Sequence, residues 1–228
     1  MKTLALVRGL RFVDSFFPSG GFAFSWGLEA AVQDGAVRNG KDLAEYVEDL
    51  LCGSISRREA VALSRAHLAA ETGNLLLAIK ADAELNGMQV GYESRLGSRQ
   101  MGRQVIRVAA EQMDEWSILQ QFRAAIEDGR TPGHFPVSIG LTLAACGWSR
   151  EQAVAAYLYQ SSLGFVSAAM KLLPIGQQEG QRLLAGWAPL CSALSHRALP
   201  KSDMVSWSPV QDIYAMRHHH LESRLFRS

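Results

Sequence analysis

The sequence predicts an all-α protein, a single domain of about eight to ten packed helices. Three observations carry this expectation. Apolar residues recur at helical spacing, strand alternation is scarce, and no internal repeat or long linker divides the 228 residues. A chain of this length can bury a sizeable core, and its 48% hydrophobic content is that of a folded globular protein.

The elements follow in order. The opening Met1-Lys-Thr-Leu-Ala-Leu-Val7 is cut short by Arg8 and Arg11, too soon for the apolar core of a signal peptide. Phe16 to Glu29 packs five aromatic residues around Pro18-Ser-Gly-Gly21, and a helix is expected over Trp26–Asp34 with Ser25 as its cap. Leu43, Tyr46, Val47, Leu50 and Leu51 fall on one helix face, as do Met101, Val105, Val108, Ala109 and Met113. Breakers at Gly35, Gly40, Gly73, Gly87, Gly91 and Gly129-Arg-Thr-Pro-Gly133 divide these runs. Phe135-Pro-Val-Ser-Ile139 comes nearest to a strand, and Pro136 weakens it. Ser149 is the expected N-cap of a helix that carries Val154, Tyr157, Leu158 and Phe165. Gln152 to Met170 has no charge over nearly a bilayer's length, but its serines, glutamines and alanines describe a helix buried among helices. Pro174, Gly176 and Pro200 punctuate the remainder.

Composition excludes several functions. A net charge of +1 gives no general attraction to nucleic acid or an anionic membrane. Cys52, Cys146 and Cys191 are odd in number and far apart, which favours a reducing, cytoplasmic setting over disulfides or a cysteine-rich zinc site. No GxxxxGK[ST] phosphate cradle occurs, so the chain is not expected to hydrolyse GTP or ATP by itself.

The corner at Pro18 therefore has two remaining uses. Ala23-Phe-Ser25-Trp-Gly27 fits a relaxed nucleophile elbow, which would make the protein a serine hydrolase. That elbow needs a buried strand before it, and Phe-Pro-Ser-Gly-Gly cannot supply one. The alternative is an organising corner in which Gly20 and Gly21 turn the chain, Ser25 caps, and Gly27 permits close helix packing. Two other features carry chemistry. His218-His-His220 could meet Ni²⁺ or Zn²⁺, but consecutive helical residues point about 100° apart and cannot converge on one ion. Lys171 is the one charge between Glu151 and Glu179: either a snorkelling end-of-helix lysine, or a point charge awaiting an acidic partner.

Several stretches together resemble the urease accessory protein UreF family. Phe17-Pro-Ser-Gly-Gly-Phe-Ala-Phe-Ser-Trp-Gly-Leu-Glu29 is similar to its N-terminal signature, and Glu93-Ser-Arg95 with Ser98 and Gly102 to its central helix. His134, Pro136 and Gly140 recur in the next motif. Lys171-Leu-Leu-Pro174-Ile-Gly176-Gln177 with Gln181 and the closing Ser223-Arg-Leu-Phe-Arg-Ser228 complete the ordered set. One departure is His219, where the family has glutamate after the histidine. The resemblance implies a non-enzymatic, usually dimeric assembly factor with no cofactor of its own. It would bridge UreD (also called UreH) and the GTPase UreG on the urease apoprotein, the complex handling the nickel. It implies partner-binding residues Glu29, Glu93, Lys171, Gln177, Arg224, Leu225 and Phe226. The structural positions it implies are Pro18, Gly20, Gly21, Ser25, Gly27, Gly102, Pro174 and Gly176. The tail 217–228 is expected to be mobile alone and to order against the UreD-type partner, because Leu221, Leu225 and Phe226 have nothing beyond them for cover.

Overall fold

The computed structural model describes residues 2–200 and 202–228, and among these every regular element is helical. Met1, where the opening apolar run begins, lies outside them. The order is α1 (Thr3–Val13), a 3₁₀ turn (Gly21–Ala23), α2 (Leu28–Gln33), α3 (Gly40–Leu50), a π-helical stretch (Leu51–Glu59) and α4 (Ala60–Thr72). Then come α5 (Leu75–Met88), α6 (Tyr92–Gln112), α7 (Ser117–Glu127), α8 (Phe135–Ala145), α9 (Arg150–Leu172), α10 (Gln177–Ser195), α11 (Pro209–Arg217) and a last 3₁₀ turn (His218–His220). The stretch α3–π–α4 is one unbroken rod from Gly40 to Thr72.

Local chemistry explains the boundaries. Asn39 caps α3 by accepting from the Lys41 and Asp42 amides. Ser149 and Gln152 form a reciprocal capping box at the start of α9, as the sequence predicts. The expected near-strand at Phe135 is instead the start of α8. Pro136 sits in the first turn, where its missing N–H costs nothing, so it begins a helix rather than spoiling a strand.

Helix α8 is buried from Phe135 to Ala145 and forms the centre, packed between α4 and α6. Gly102 on α6 is where the chain preceding α8 comes closest. A Cβ there would collide with the Gly133 carbonyl and the His134–Phe135 peptide. Asp82 fixes the same loop from the other side, accepting from Thr131 Oγ1 (2.6 Å) and from the Gly133 (2.6 Å) and His134 (2.8 Å) amides. Burial pushes the Asp82 carboxyl above its ordinary range against the pull of these three donors. His134 is fully buried, and burial, helped by Arg99, Arg95 and Arg103, drives its pKa down to about 3. Helix α9 carries the uncharged Gln152–Met170 run against α10 and α4, and no helix among the described residues is long and apolar enough to cross a membrane.

Candidate functional site

The ring-rich corner folds around the chain's last residues. Gly20 adopts positive φ and Gly21 does not; Gly21 instead sits against Met101. Trp26 (φ 55°) and Gly27 (φ 88°) then turn the chain through two successive left-handed residues into α2. Helix α2 begins at Leu28 rather than Trp26, so Ser25 lies outside the capping position expected for it. Gly27 does serve close packing: a Cβ there would lie 2.7 Å from the Ala215 amide nitrogen of α11.

Ser25 is fully buried. Its amide donates to the main-chain oxygen of Ser228 at 2.6 Å, its hydroxyl donates to the same oxygen, and the Glu29 amide approaches its Oγ at 3.4 Å. The Arg227 amide donates to the Ala23 carbonyl at 2.7 Å. No base touches the hydroxyl, and no strand precedes it among the described residues, so the elbow reading loses both its supports.

Glu29, 1% exposed, is the hub. Its carboxylate accepts from the Leu225 amide at 2.7 Å, the Phe226 amide at 3.1 Å and His218 Nε2 at 2.9 Å. His218, fully buried, reaches Glu93 with Nδ1 at 2.7 Å, and the other Glu93 oxygen accepts from Arg224 Nη1 at 2.8 Å. His218 thereby links the two carboxylates through its two ring nitrogens. Phe226 is buried, and the Lys171 ammonium stands 5.1 Å from its ring centroid, within cation–π range.

The expectation of a mobile tail is therefore corrected. Residues 223–228 are seated on the protein's own body, because the buried Glu29 carboxylate supplies acceptors for backbone donors that a frayed end would leave to water. The three histidines also separate. His218 is spent on two glutamates, while His219 and His220 are exposed with ring centroids 3.6 Å apart. No group of three or more His, Cys, Asp or Glu among the described residues is arranged to hold a metal ion.

Of the residues expected to act together, the fold brings Ser25, Glu29, Glu93, Lys171, Arg224 and Phe226 to one node. Leu225 points outward, 71% exposed. Gln177 heads α10, exposed, after a link in which Pro174 and Gly176 are also exposed, and it makes none of the node's hydrogen bonds. His218 is the residue whose place in the node sequence reasoning missed, having weighed it only as a metal ligand. The available signal was Glu29 itself, a lone acid in an apolar stretch that must find distant donors. Behind the node lies a cavity of about 190 Å³, walled by Phe24, Phe226 and Lys171 and, further in, by Gln160 and the buried pair Arg58 and Glu59 (2.8 Å).

This fold and node define an all-helical protein in which residues 225–228 are hydrogen-bonded to the corner at Ala23, Ser25 and Glu29. Comparison with known families matches residues 37–188 to UreF. Urease accessory protein UreF of Actinobacillus pleuropneumoniae serotype 5b (strain L20) is 31% identical over 96% of this chain and 97% of its own length. That of Azoarcus sp. (strain BH72) is 33% identical over 99% and 96%. That of Bacillus sp. (strain TB-90) is 29% identical over 94% and 95%. The chain belongs to the UreF family of urease accessory proteins.

Proposed function

We propose that this protein is an adaptor in urease maturation. It bridges a UreD/UreH-type accessory protein and a UreG-type GTPase on the urease apoprotein, as a dimer in the cytoplasm, with nickel as the cargo of the assembly. The observation that carries the reading beyond family membership is the outward side of the α11–tail segment. Trp207 (75% exposed), Val210, Ile213 and Met216 form an exposed apolar row at three-residue spacing, and Leu225 is left uncovered. The inner side of the same segment is tied to the body through Tyr214, His218 and Phe226. An apolar row rimmed by Arg217 and Arg224 is the composition of a protein-binding surface. Lys171, exposed above the docked Phe226, adds a positive charge that an acidic partner can meet.

The test is reconstitution of urease activation from purified apoprotein, the two partner proteins, GTP and nickel, with and without this chain. Activation should require it. Lys171→Ala should keep the melting temperature and lower activation, since removing an exposed charge leaves most folds intact. Equal activation without the chain would refute the adaptor role.

A further inference from the structure

Helix α6 carries a second surface, on the flank away from Glu93 and the tail. Arg95, Arg99, Arg103 and Arg107 recur every fourth residue, so they form a slanted ridge about 18 Å long with about 6 Å between neighbours. None makes an ion pair among the described residues. Instead, neutral acceptors hold three of them in place. Arg99 donates to Asn86 Oδ1, Arg103 Nε to the Pro132 carbonyl (3.1 Å) and Arg107 to Gln104 Oε1 (2.9 Å). The nearby carboxylates are already engaged: Glu111 and Glu127 with Arg123, Asp128 with Arg130, Glu84 with Arg65. Asp82 feels the Arg99 charge from behind, but it is fully buried and offers nothing to solvent. Three of these cations also act on one point inside, since Arg99, Arg95 and Arg103 all depress His134. Beside the ridge, Tyr92 and Leu96 are exposed.

We propose that this flank of α6 is a docking surface for an acidic helix of a partner protein. The guanidinia are oriented but not neutralised, so little side-chain ordering remains to be done on binding. Their one-turn spacing matches carboxylates at every fourth position of a facing helix. Tyr92 and Leu96 add the apolar anchors that a protein partner uses. A nucleic acid is disfavoured, because Glu111, Glu127 and Asp128 fringe the ridge and the chain as a whole is nearly neutral.

The inference stands apart from the maturation reading, and its readout is direct binding rather than urease activation. The probe is a fluorescent helical peptide with glutamate at every fourth position and leucine beside it, followed by anisotropy at low and high salt. The wild type should bind it, more weakly as salt rises. Arg103→Glu/Arg107→Glu should bind about tenfold or more weakly with an unchanged helical spectrum. Arg38→Glu, a charge reversal on another surface, should bind as the wild type does. If the glutamates disturb folding, Arg103→Gln/Arg107→Gln replaces them. Three results would each overturn the proposal: no binding by the wild type, equal loss in Arg38→Glu, or tighter binding of a DNA duplex of matched charge than of the peptide.

Discussion

Glu29 carries more of the tail's attachment than any other side chain: three donors from two backbone amides and one imidazole meet a carboxylate almost sealed from water. Removing it leaves those donors without an acceptor in the interior. Glu29→Ala is expected to cost about 3 kcal/mol or more, since each buried donor left unsatisfied costs about 1–3 kcal/mol. Urea denaturation measures the loss, and trypsin should cut at Arg224 and Arg227 far faster in the variant. An unchanged cleavage rate would mean that the tail is held elsewhere. His134 makes a separate expectation about pH. Its folded pKa of about 3 lies below the ordinary value near 6.5, so the unfolded chain takes up the proton more readily. The resulting stability is complete above about pH 6.5 and is lost as pH falls toward the folded value, with about 2 kcal/mol already lost at pH 5. Burial lowers His67 in the same direction. Thermal unfolding should therefore weaken from pH 7 to pH 5, and His134→Asn, though less stable at pH 7, should show a shallower fall.

Among elements, the C-terminal segment is the one whose behaviour the structure revises. A mobile tail could be deleted without thermal consequence; a seated one cannot. Deleting Ser223–Ser228 removes the burial of Phe226, worth roughly 1.5–3 kcal/mol, and several hydrogen bonds of about 1 kcal/mol each. Calorimetry should show a fall in Tm of roughly 5–15 °C. An unchanged Tm would restore the mobile picture. Helix α11 gives a paired expectation through two left-handed glycines. Gly27 (φ 88°) faces the Ala215 backbone, whereas Gly35 (φ 75°) has nothing within 4 Å. Gly35→Ala should cost about 1–2 kcal/mol for backbone strain alone. Gly27→Ala should cost clearly more, because α11 must also move. Equal losses would show that the close approach is unimportant.

At the scale of the whole molecule, the fold was legible because helical spacing and caps are local signals. Leu43 to Leu51 and Met101 to Met113 mark their faces without help from the rest of the chain, and Ser149 announces α9. Phe135–Ala145 was not legible, because a helix buried on all sides has no polar face to create a period. The node was half legible. Ser25, Glu29, Glu93 and the tail could be singled out one by one, but His218 locks residues 125 and 189 positions away, and no local pattern encodes such a separation. The seating of the tail was hidden for the same reason: exposed-looking leucine and phenylalanine at a chain end read alike whether a partner or the chain itself covers them.

The rod from Gly40 to Thr72 holds one more consequence. Its middle is wound wide over Leu51–Glu59, and the carbonyls of Gly53 and Arg57 accept from the amides of Trp207 (2.9 Å) and Val205 (3.2 Å). The loose winding is thus a splice, in which a distant extended segment is stitched along a helix that has slackened to receive it. Were the same residues wound at ordinary pitch, the extra residue held there would rotate everything after it by about 100°. Arg58 and Glu59 would leave the cavity wall, Leu63 would lose its place against α8, and the stitched segment would come free. The slack is a phase adjustment between two halves of one helix, and the core beneath it is tuned to that phase.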